Sequence, residues 1–218
     1  MRSGKFITLE GGEGVGKSTQ ATLLVERLAK RGIDVILTRE PGGSPFAERI
    51  RALLLDPGTP AHGALADALL FYAARADHLQ QKIAPHLDAG GWVVCDRFSD
   101  STRVYQGSAG GVAPEVLERL EDLVVKSHRP DLTVLLDLDP RDGLGRVRRR
   151  RAPTRTLSET DRFEQRELEF HERLRAGYLA LARAEPQRCV IIDAAAPPEI
   201  IAAAVWRAVA ERLLAGAG

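Results

Sequence analysis

Residues 11–18 place glycines, a lysine and a serine at the spacing of a phosphate-binding loop. The stretch GGEGVGKS fits G-x-x-x-x-G-K-[ST], and the apolar run KFITLE precedes it. Glycines let the backbone curl so that successive N–H groups point inward, and a following helix directs its positive dipole end at the same place. Lys17 would reach the β- and γ-phosphates, and Ser18 would bind Mg²⁺. The motif predicts a nucleoside triphosphate site formed by Gly11, Gly12, Glu13, Gly14, Val15, Gly16, Lys17, Ser18 and Thr19.

Asp96 and Arg97 follow the apolar run WVV, where a strand is expected to end. Open α/β sheets bind their ligands at the carboxyl ends of the strands. An aspartate there can hold the Mg²⁺ shell, and an arginine can bridge donor and acceptor phosphates. A surface ion pair is the plainer interpretation of these two residues, but a phosphate-binding loop in the same chain favours the functional one.

The stretch GRVRRRRAPTRTLSETDR, residues 145–162, is dense in arginine. It could be a solvated helix face, a nucleic-acid-binding patch, or a lid that brings arginine to the phosphates. Phosphoryl transfer develops charge on the γ-phosphate oxygens, and an arginine closing over them stabilises that charge and excludes water. Because the phosphate-binding loop is present, we favour a lid over residues 148–162, in which only some of the arginines are catalytic.

Short β-branched runs must position these side chains, and they alternate with longer segments of helical period. The runs are KFITLE, DVILTRE, WVVCDR, DLTVLLDLD and CVIID. This alternation predicts an α/β fold with a five-stranded parallel sheet and helices on both faces. No linker or internal repeat divides the chain, so we expect a single domain over residues 1–218.

The segment from residue 64 to residue 88 has a helical apolar stripe that is expected to face the core. Its members are Leu65, Leu69, Tyr72, Ala76, Leu79, Ile83 and Leu87. Phe71 and Arg75 lie four residues apart on a face turned away from that stripe, where a ring and a guanidinium are available to a ligand. The alternative is a surface phenylalanine shielded by an arginine.

Composition excludes several classes of protein. The chain carries 31 basic and 30 acidic residues, so no global charge marks a nucleic-acid or membrane partner. No signal segment and no run of roughly 18–20 apolar residues occurs, so we expect a cytoplasmic protein. Cys95 and Cys189 lie in apolar runs and predict buried thiols rather than a disulfide or a metal cluster.

Phosphate-binding loops occur in GTPases, motors and small-molecule kinases, and the rest of the chain discriminates among them. GTPases read guanine with an Asn-Lys-x-Asp motif, whereas this chain contains no asparagine. A nucleic-acid motor would need a larger chain with a basic track, whereas the positive charge here is concentrated in residues 145–162. A small kinase fits best.

Six stretches, in order, resemble the bacterial form of thymidylate kinase. They are FITLEGGEGVGKSTQ, TREPGG, LLFYAARADH, VVCDRFSDSTRVYQG, RPDLTVLLDLDP and DRFEQ, and they extend over nearly the full length. The resemblance implies the P-loop nucleoside monophosphate kinase fold and Mg²⁺-dependent, in-line transfer of the γ-phosphoryl group of ATP to deoxythymidine monophosphate (dTMP). It also implies a homodimer.

The resemblance assigns a base pocket residue by residue. Phe71 would stack on the thymine ring, and Arg75 would donate a hydrogen bond to the base. Thr102 and Gln106 would also contact the base. Tyr105 would lie beside the sugar, where it would obstruct a 2′-hydroxyl.

The remainder of the acceptor site follows in the same way. The resemblance implies that Arg51 and Arg97 hold the acceptor phosphate and that Glu13 approaches the sugar 3′-hydroxyl. Glu40 is a further pocket candidate.

Position 14 separates two forms of the family, because the other form carries an arginine there that acts from within the loop. This chain has Gly14 and an arginine-rich lid. The resemblance therefore implies a catalytic arginine in the lid, with Arg162 best matched to the family pattern. The candidates are Arg150, Arg151, Arg155 and Arg162.

The catalytic set expected is Lys17, Mg²⁺, Arg97 and a lid arginine. No general base is required, because the attacking phosphate oxygen is already anionic.

Two alternatives stay open. Another nucleoside monophosphate kinase, acting on guanylate, adenylate or cytidylate, would share the loop and the lid but would not be expected to carry TREPGG or FYAAR. A nucleotide-dependent protein that grips nucleic acid through the arginine cluster would bind polynucleotide in a salt-sensitive way.

Overall fold

One parallel sheet organises the chain. In the computed structural model the described backbone comprises residues 4–150 and 160–214, and the described side chains exclude residues 150–166. The strands are β1 (Phe6–Glu10), β2 (Val35–Arg39), β3 (Trp92–Asp96), β4 (Leu132–Asp137) and β5 (Cys189–Asp193), in the order β2-β3-β1-β4-β5. The predicted five-stranded parallel sheet is confirmed, strand by strand.

Helices connect the strands. They are α1 (Lys17–Ala29), α2 (Pro45–Leu55), α3 (Ala64–His78), α4 (Ala84–Asp88), α5 (Ser99–Thr102), α6 (Pro114–Val124), α7 (Pro140–Arg150), α8 (Thr160–Ala184) and α9 (Pro198–Val209). π-helical turns occupy Leu79–Ile83, Arg103–Ser108 and Ala210–Leu214. Within the described parts of the chain, no helix is long and apolar enough to cross a membrane.

The sheet is buried on both faces, as the near-continuous apolar strands require. Alternate β1 side chains point to opposite layers: Ile7 packs with α1 and α9, and Phe6 packs with α3 and α6. Helix α8 packs on the second face, beside β4, through Leu174 and Tyr178. Both cysteines are buried, as predicted.

In the long helical segment from residue 64 to residue 88, only part of the predicted apolar stripe faces the core. Tyr72, Leu79, Ile83 and Leu87 are buried, but Ala76 is exposed, and Leu65 and Leu69 are 49% and 51% exposed. The π-helical turn Leu79–Ile83 separates α3 from α4 within this segment. An extra residue per turn shifts the helical phase, so a stripe traced at 3.6 residues per turn lies on different faces before and after that turn.

Helix α7 touches the phosphate-binding loop through two glycines. Gly14 has φ +70°, and a Cβ built on it would lie 2.1 Å from the carbonyl oxygen of Gly143. A Cβ on Gly143 would lie 2.3 Å from the carbonyl oxygen of Glu13. Only backbones without side chains can approach so closely. The space that an arginine at position 14 would need is therefore taken by the first turn of α7.

We predict that Gly143→Ala lowers the free energy of unfolding by about 1–3 kcal/mol, because its methyl group meets a backbone that cannot move away independently. Gly145→Ala in the same helix is the matched control, since its Cβ meets only the end of the Arg149 side chain at 3.8 Å. In that control variant the free energy of unfolding should rise by about 0.5–1 kcal/mol. Urea denaturation measures both changes, and equal stability of the two variants would contradict the prediction.

Candidate active site

The phosphate-binding loop joins the end of β1 to the start of α1. Gly11, Gly14 and Gly16 all have positive φ, which lets the loop curl around its own centre. The Lys17 ammonium is buried and donates hydrogen bonds to the carbonyl oxygens of Gly11 (3.1 Å) and Gly12 (2.6 Å). Burial, with the nearby charge of Arg97, lowers the pKa of Lys17 to about 7. An anionic phosphate beside it would favour the charged ammonium.

A cavity of about 350 Å³ opens at this loop, where the predicted phosphate ligands meet. It is lined by Glu13, Gly14, Gly16, Lys17, Ser18, Thr19, Asp96, Arg97 and Val147. The parallel sheet places Asp96 there, because β1 and β3 are neighbours and end at the same edge.

Ser18 and Asp96 lie in direct contact, although they are 78 residues apart in sequence. The Ser18 hydroxyl donates a hydrogen bond to the Asp96 carboxylate. A hydroxyl and a carboxylate beside a phosphate site are hard oxygen donors, which Mg²⁺ prefers together with water and phosphate oxygens. The residues present therefore fit the expected magnesium ion.

Arg97 is the most heavily bonded side chain of the site. Its Nη1 donates at 3.1 Å to the Gly11 carbonyl and to the hydroxyls of Ser101 and Tyr178. Its Nη2 donates to Glu13 (2.7 Å) and to the Tyr105 hydroxyl (3.2 Å). Burial alone would lower the pKa of Arg97, but the surrounding tyrosines and carboxylates hold it above its ordinary value. The guanidinium thus stays charged and links the loop to the α5 region and to α8.

Glu13 takes part in the same contacts at the open side of the site. Its carboxylate accepts from Arg97 and from the Tyr105 hydroxyl (3.2 Å). Burial opposes ionisation, but Arg97 and Lys17 lower the pKa of Glu13 below its usual value. A charged carboxylate and a tyrosine hydroxyl therefore stand together where the sequence predicted the acceptor sugar.

The prediction that Arg75 lies on an open helix face was wrong. Its side chain is only 1% exposed. Its Nε donates to Glu40 (2.8 Å), and its Nη2 donates to the Thr102 hydroxyl (3.0 Å). The other Glu40 oxygen contacts His78 Nδ1 at 3.1 Å, and His78 Nε2 lies 2.7 Å from Thr38. Burial is tolerated because the carboxylate compensates the charge. Glu40 therefore holds Arg75 in place, and each of its two oxygens has a partner within the protein.

Nη1 of Arg75 is buried without a hydrogen-bond partner among the described residues. Orphaned buried donors are rare, so this N–H is a candidate to bind water or a ligand. Phe71 is half-buried one helical turn before Arg75, and Gln106 is buried in the π-helical turn that follows Thr102. The predicted base-contacting residues thus lie on α3, at the end of α5 and in the π-helical turn after it.

Arg51 lies on α2 and reaches back to the TREPGG loop. Its Nη1 donates to the Pro41 carbonyl at 2.6 Å. Burial and the neighbouring charge of Arg39 lower the pKa of Arg51, while Glu48 and Asp96 oppose that shift. Two arginines close enough to repel each other near Asp96 form a place that an anion would stabilise.

Comparison with known proteins decides among the kinase alternatives. The family model described as thymidylate kinase matches residues 9–205. The chain belongs to the thymidylate kinase family. It is 52% identical over 212 residues to the thymidylate kinase of Rhodopseudomonas palustris strain BisB18, covering 97% of this chain and 90% of that protein. It is 50% identical to that of Bradyrhizobium sp. strain ORS 278, covering 96% and 91%.

A solved structure agrees with these sequence matches. The crystal structure of thymidylate kinase from Ehrlichia chaffeensis superposes with a TM-score of 0.77 at 32% identity, covering 94% of this chain and 98% of that one. The resemblance inferred from six short stretches is confirmed, and so are the fold class and the kinase class.

None of the four predicted lid arginines of this thymidylate kinase family member has a side chain among the described residues. Arg151 and Arg155 lie outside the described residues. Arg150 ends α7 and Arg162 lies in the first turn of α8, but their side chains are also outside the described set.

Sequence reasoning missed several residues of the site. Glu10, Ser101 and Tyr178 all contact the Arg97 network, and Arg39 lines a second, neighbouring cavity that shares Ser18 and Asp96 with the first. Glu10 left a signal, since it is a carboxylate at the end of an apolar strand. Tyr178 left none, because it arrives from α8, 81 residues after Arg97.

We predict that Glu40→Gln lowers the free energy of unfolding by about 3–5 kcal/mol, because the buried Arg75 charge loses its counter-charge. Asp122→Asn is the control: its ion pair with Arg129 is equally short, at 2.9 Å, but exposed. That change should cost less than about 1 kcal/mol. Urea denaturation compares the two variants, and a similar loss in both would refute the special status of the buried pair.

Proposed function

We propose that this protein transfers the γ-phosphoryl group of ATP to dTMP, forming ADP and deoxythymidine diphosphate. The observation that supports it most directly is Arg97, which donates to the Gly11 carbonyl of the donor loop and to Glu13 and Tyr105 on the acceptor side. One guanidinium thus joins the two halves of a bisubstrate site. Membership of the thymidylate kinase family names the reaction.

On the donor side, the loop N–H groups and Lys17 bind the ATP phosphates, and Ser18 and Asp96 hold Mg²⁺. When bound, the ion neutralises charge on the β- and γ-phosphates. Lys17 turns from the Gly11 and Gly12 carbonyls to the phosphate oxygens, which are stronger acceptors for an ammonium.

On the acceptor side, Arg75 donates its unpartnered Nη1–H to the base, and Phe71 stacks on the pyrimidine ring. Thr102 and Gln106 line the same pocket, and Tyr105 and Glu13 lie beside the sugar. The base is thereby held by side chains from α3, α5 and the π-helical turn Arg103–Ser108, which keeps its orientation fixed.

The acceptor phosphate lies between Arg51 and Arg97 in this proposal. Its oxygen is already anionic, so the chain has to align it with the γ-phosphorus rather than remove a proton. Charge that builds up during transfer is balanced by Lys17, Arg97 and a lid arginine.

Turnover with a panel of monophosphates tests the function. We expect dTMP to be the best acceptor, ahead of guanylate, adenylate and cytidylate, with ATP as donor. Phe71→Ala should raise the KM for dTMP more than the KM for ATP, because the ring contacts only the acceptor. A better acceptor than dTMP would contradict the proposed substrate, and equal rises in both KM values would contradict the stacking role.

We also propose a single domain over residues 1–218 with a lid at about 148–162, since all five strands belong to one sheet. Arg162 is our choice for the arginine that reaches the transferred phosphate, with Arg151 and Arg155 as the other candidates.

Arg162→Ala should lower kcat by about 10³-fold or more, the usual loss for a phosphate-stabilising arginine. ATP affinity, measured by equilibrium titration, should stay within about threefold of wild type, because binding rests on the loop. Arg141→Ala, an exposed position on α7, is the control and should keep full turnover. Unchanged kcat in Arg162→Ala would remove Arg162 from the mechanism.

A homodimer is the third part of the proposal. Helices α2 and α3 pack together and leave four leucines exposed: Leu53, Leu55, Leu65 and Leu69. An apolar patch on two adjacent helices is typical of a protein interface. Sedimentation velocity should show a dimer that Leu69→Asp converts to monomer, while Ile200→Asp on α9 leaves it intact. A wild-type monomer would refute the interface.

The cytoplasmic location stays a prediction.

A further inference from the structure

We propose that Glu10 is a positioning residue that holds the Arg97 guanidinium in place for phosphoryl transfer, acting through the hydroxyls of Ser101 and Tyr178. This inference rests on the proposed function, since it concerns the residue that links the donor loop to the acceptor. Glu10 itself lies behind that residue and contacts neither phosphate site.

Glu10 occupies the last position of β1, directly before the phosphate-binding loop, and its side chain is 0% exposed. Within the part of the chain that the structure describes, its hydrogen-bond donors come from the segment around Arg97 and from α8. Oε1 accepts the backbone N–H of Phe98 at 2.7 Å. Oε2 accepts from the Ser101 hydroxyl at 2.6 Å and from the Tyr178 hydroxyl at 3.3 Å.

The same two hydroxyls hold Arg97. Nη1 of Arg97 donates to the oxygens of Ser101 and Tyr178, each at 3.1 Å, and these two oxygens lie 2.8 Å apart. Each hydroxyl can therefore accept from the guanidinium while it donates towards the carboxylate. Removal of the carboxylate frees both hydroxyls to rotate and to stop accepting from Nη1.

The two ends of the guanidinium consequently face different surroundings. Nη1 is fixed on the buried side by Ser101, Tyr178 and the Gly11 carbonyl. Nη2 faces the open side, where its partner Glu13 is about half exposed. A phosphate can displace the contacts of Nη2 without disturbing those of Nη1. The buried side sets the direction in which the open side points.

Glu10 also holds the backbone on which Arg97 is mounted. Arg97 has φ +70°, a left-handed conformation that is unfavourable for a residue with a side chain. The Arg97 N–H donates to the Leu9 carbonyl, and the next N–H, that of Phe98, donates to Glu10. Two consecutive backbone donors bound to the end of β1 keep this turn in place.

Burying the Glu10 carboxylate costs free energy, so a role in packing alone would not explain a charged side chain at this position. Burial, together with the charge of Asp100, raises the pKa of Glu10 to about 7. A well-packed apolar side chain often replaces a buried charge with no loss of stability. Among the described residues, each donor to the carboxylate either belongs to Phe98, which directly follows Arg97, or is a hydroxyl that accepts from the Arg97 guanidinium.

The test is a double-mutant cycle on turnover of ATP and dTMP. Glu10→Gln keeps the side-chain size but presents an N–H donor where the carboxylate accepts. We expect kcat to fall by about 10- to 100-fold, the effect of a small misplacement of a catalytic group, with the KM for ATP within about threefold of wild type. In the Arg97→Lys background the same change should alter kcat by less than about twofold, since the group that Glu10 positions is gone.

A matched control comes from the same strand. Thr8→Val removes a buried hydrogen bond of β1, between the Thr8 and Thr133 hydroxyls (2.9 Å), which has no contact with Arg97. Its kcat should equal that of wild type. Thermal unfolding of all variants separates loss of folded protein from loss of turnover per folded molecule.

The double variant Ser101→Ala/Tyr178→Phe keeps the inference testable if Glu10→Gln does not fold, because it removes both bridging hydroxyls and leaves the carboxylate. It should reproduce the loss of kcat. Wild-type kcat in either variant, or a loss from Glu10→Gln that is fully additive with Arg97→Lys, overturns the inference. Wild-type protein without dTMP turnover would instead refute the proposed function.

Discussion

The charged guanidinium of Arg97, held at the edge of the sheet between β1 and β3, is the interaction on which the site depends. It binds a carbonyl of the phosphate-binding loop, a carboxylate of the same loop, a serine at the end of a short helix, and two tyrosines. Those partners come from four different parts of the chain. A buried cation must satisfy most of its donors within the protein, so this one residue fixes the relative positions of all of them.

The same logic applies on the base side of the site. Arg75 is almost completely buried, and its burial is tolerated because Glu40 balances its charge and Thr102 accepts one of its hydrogen bonds. The TREPGG loop, the last turn of α3 and the end of α5 are thus joined by charge-assisted hydrogen bonds, which are stronger than neutral ones. The remaining donor, Nη1, is available for a ligand. The proposed recognition of the base and the local stability would therefore both depend on the Arg75–Glu40 ion pair.

Much of this arrangement could be predicted from the sequence because it depends on local patterns. Five β-branched runs gave five strands in the expected positions, and the glycine spacing gave a loop of the expected shape. The prediction for α3 was less accurate, and for a definite reason. Hydrophobic spacing tells which residues share a face, but the π-helical turn at Leu79–Ile83 changes the helical phase, and what covers each face depends on distant segments.

The sequence by itself determined the strands, the phosphate-binding loop and the family, since each is set by residue types at short spacing. Only the tertiary structure decided that Ser18 touches Asp96, that Glu40 compensates Arg75, and that Glu10 and Tyr178 stand behind Arg97. These contacts join residues 35 to 168 positions apart. Their geometry follows from strand order and helix packing, which minimise exposed apolar area over the whole chain and leave no local signature in the residues concerned.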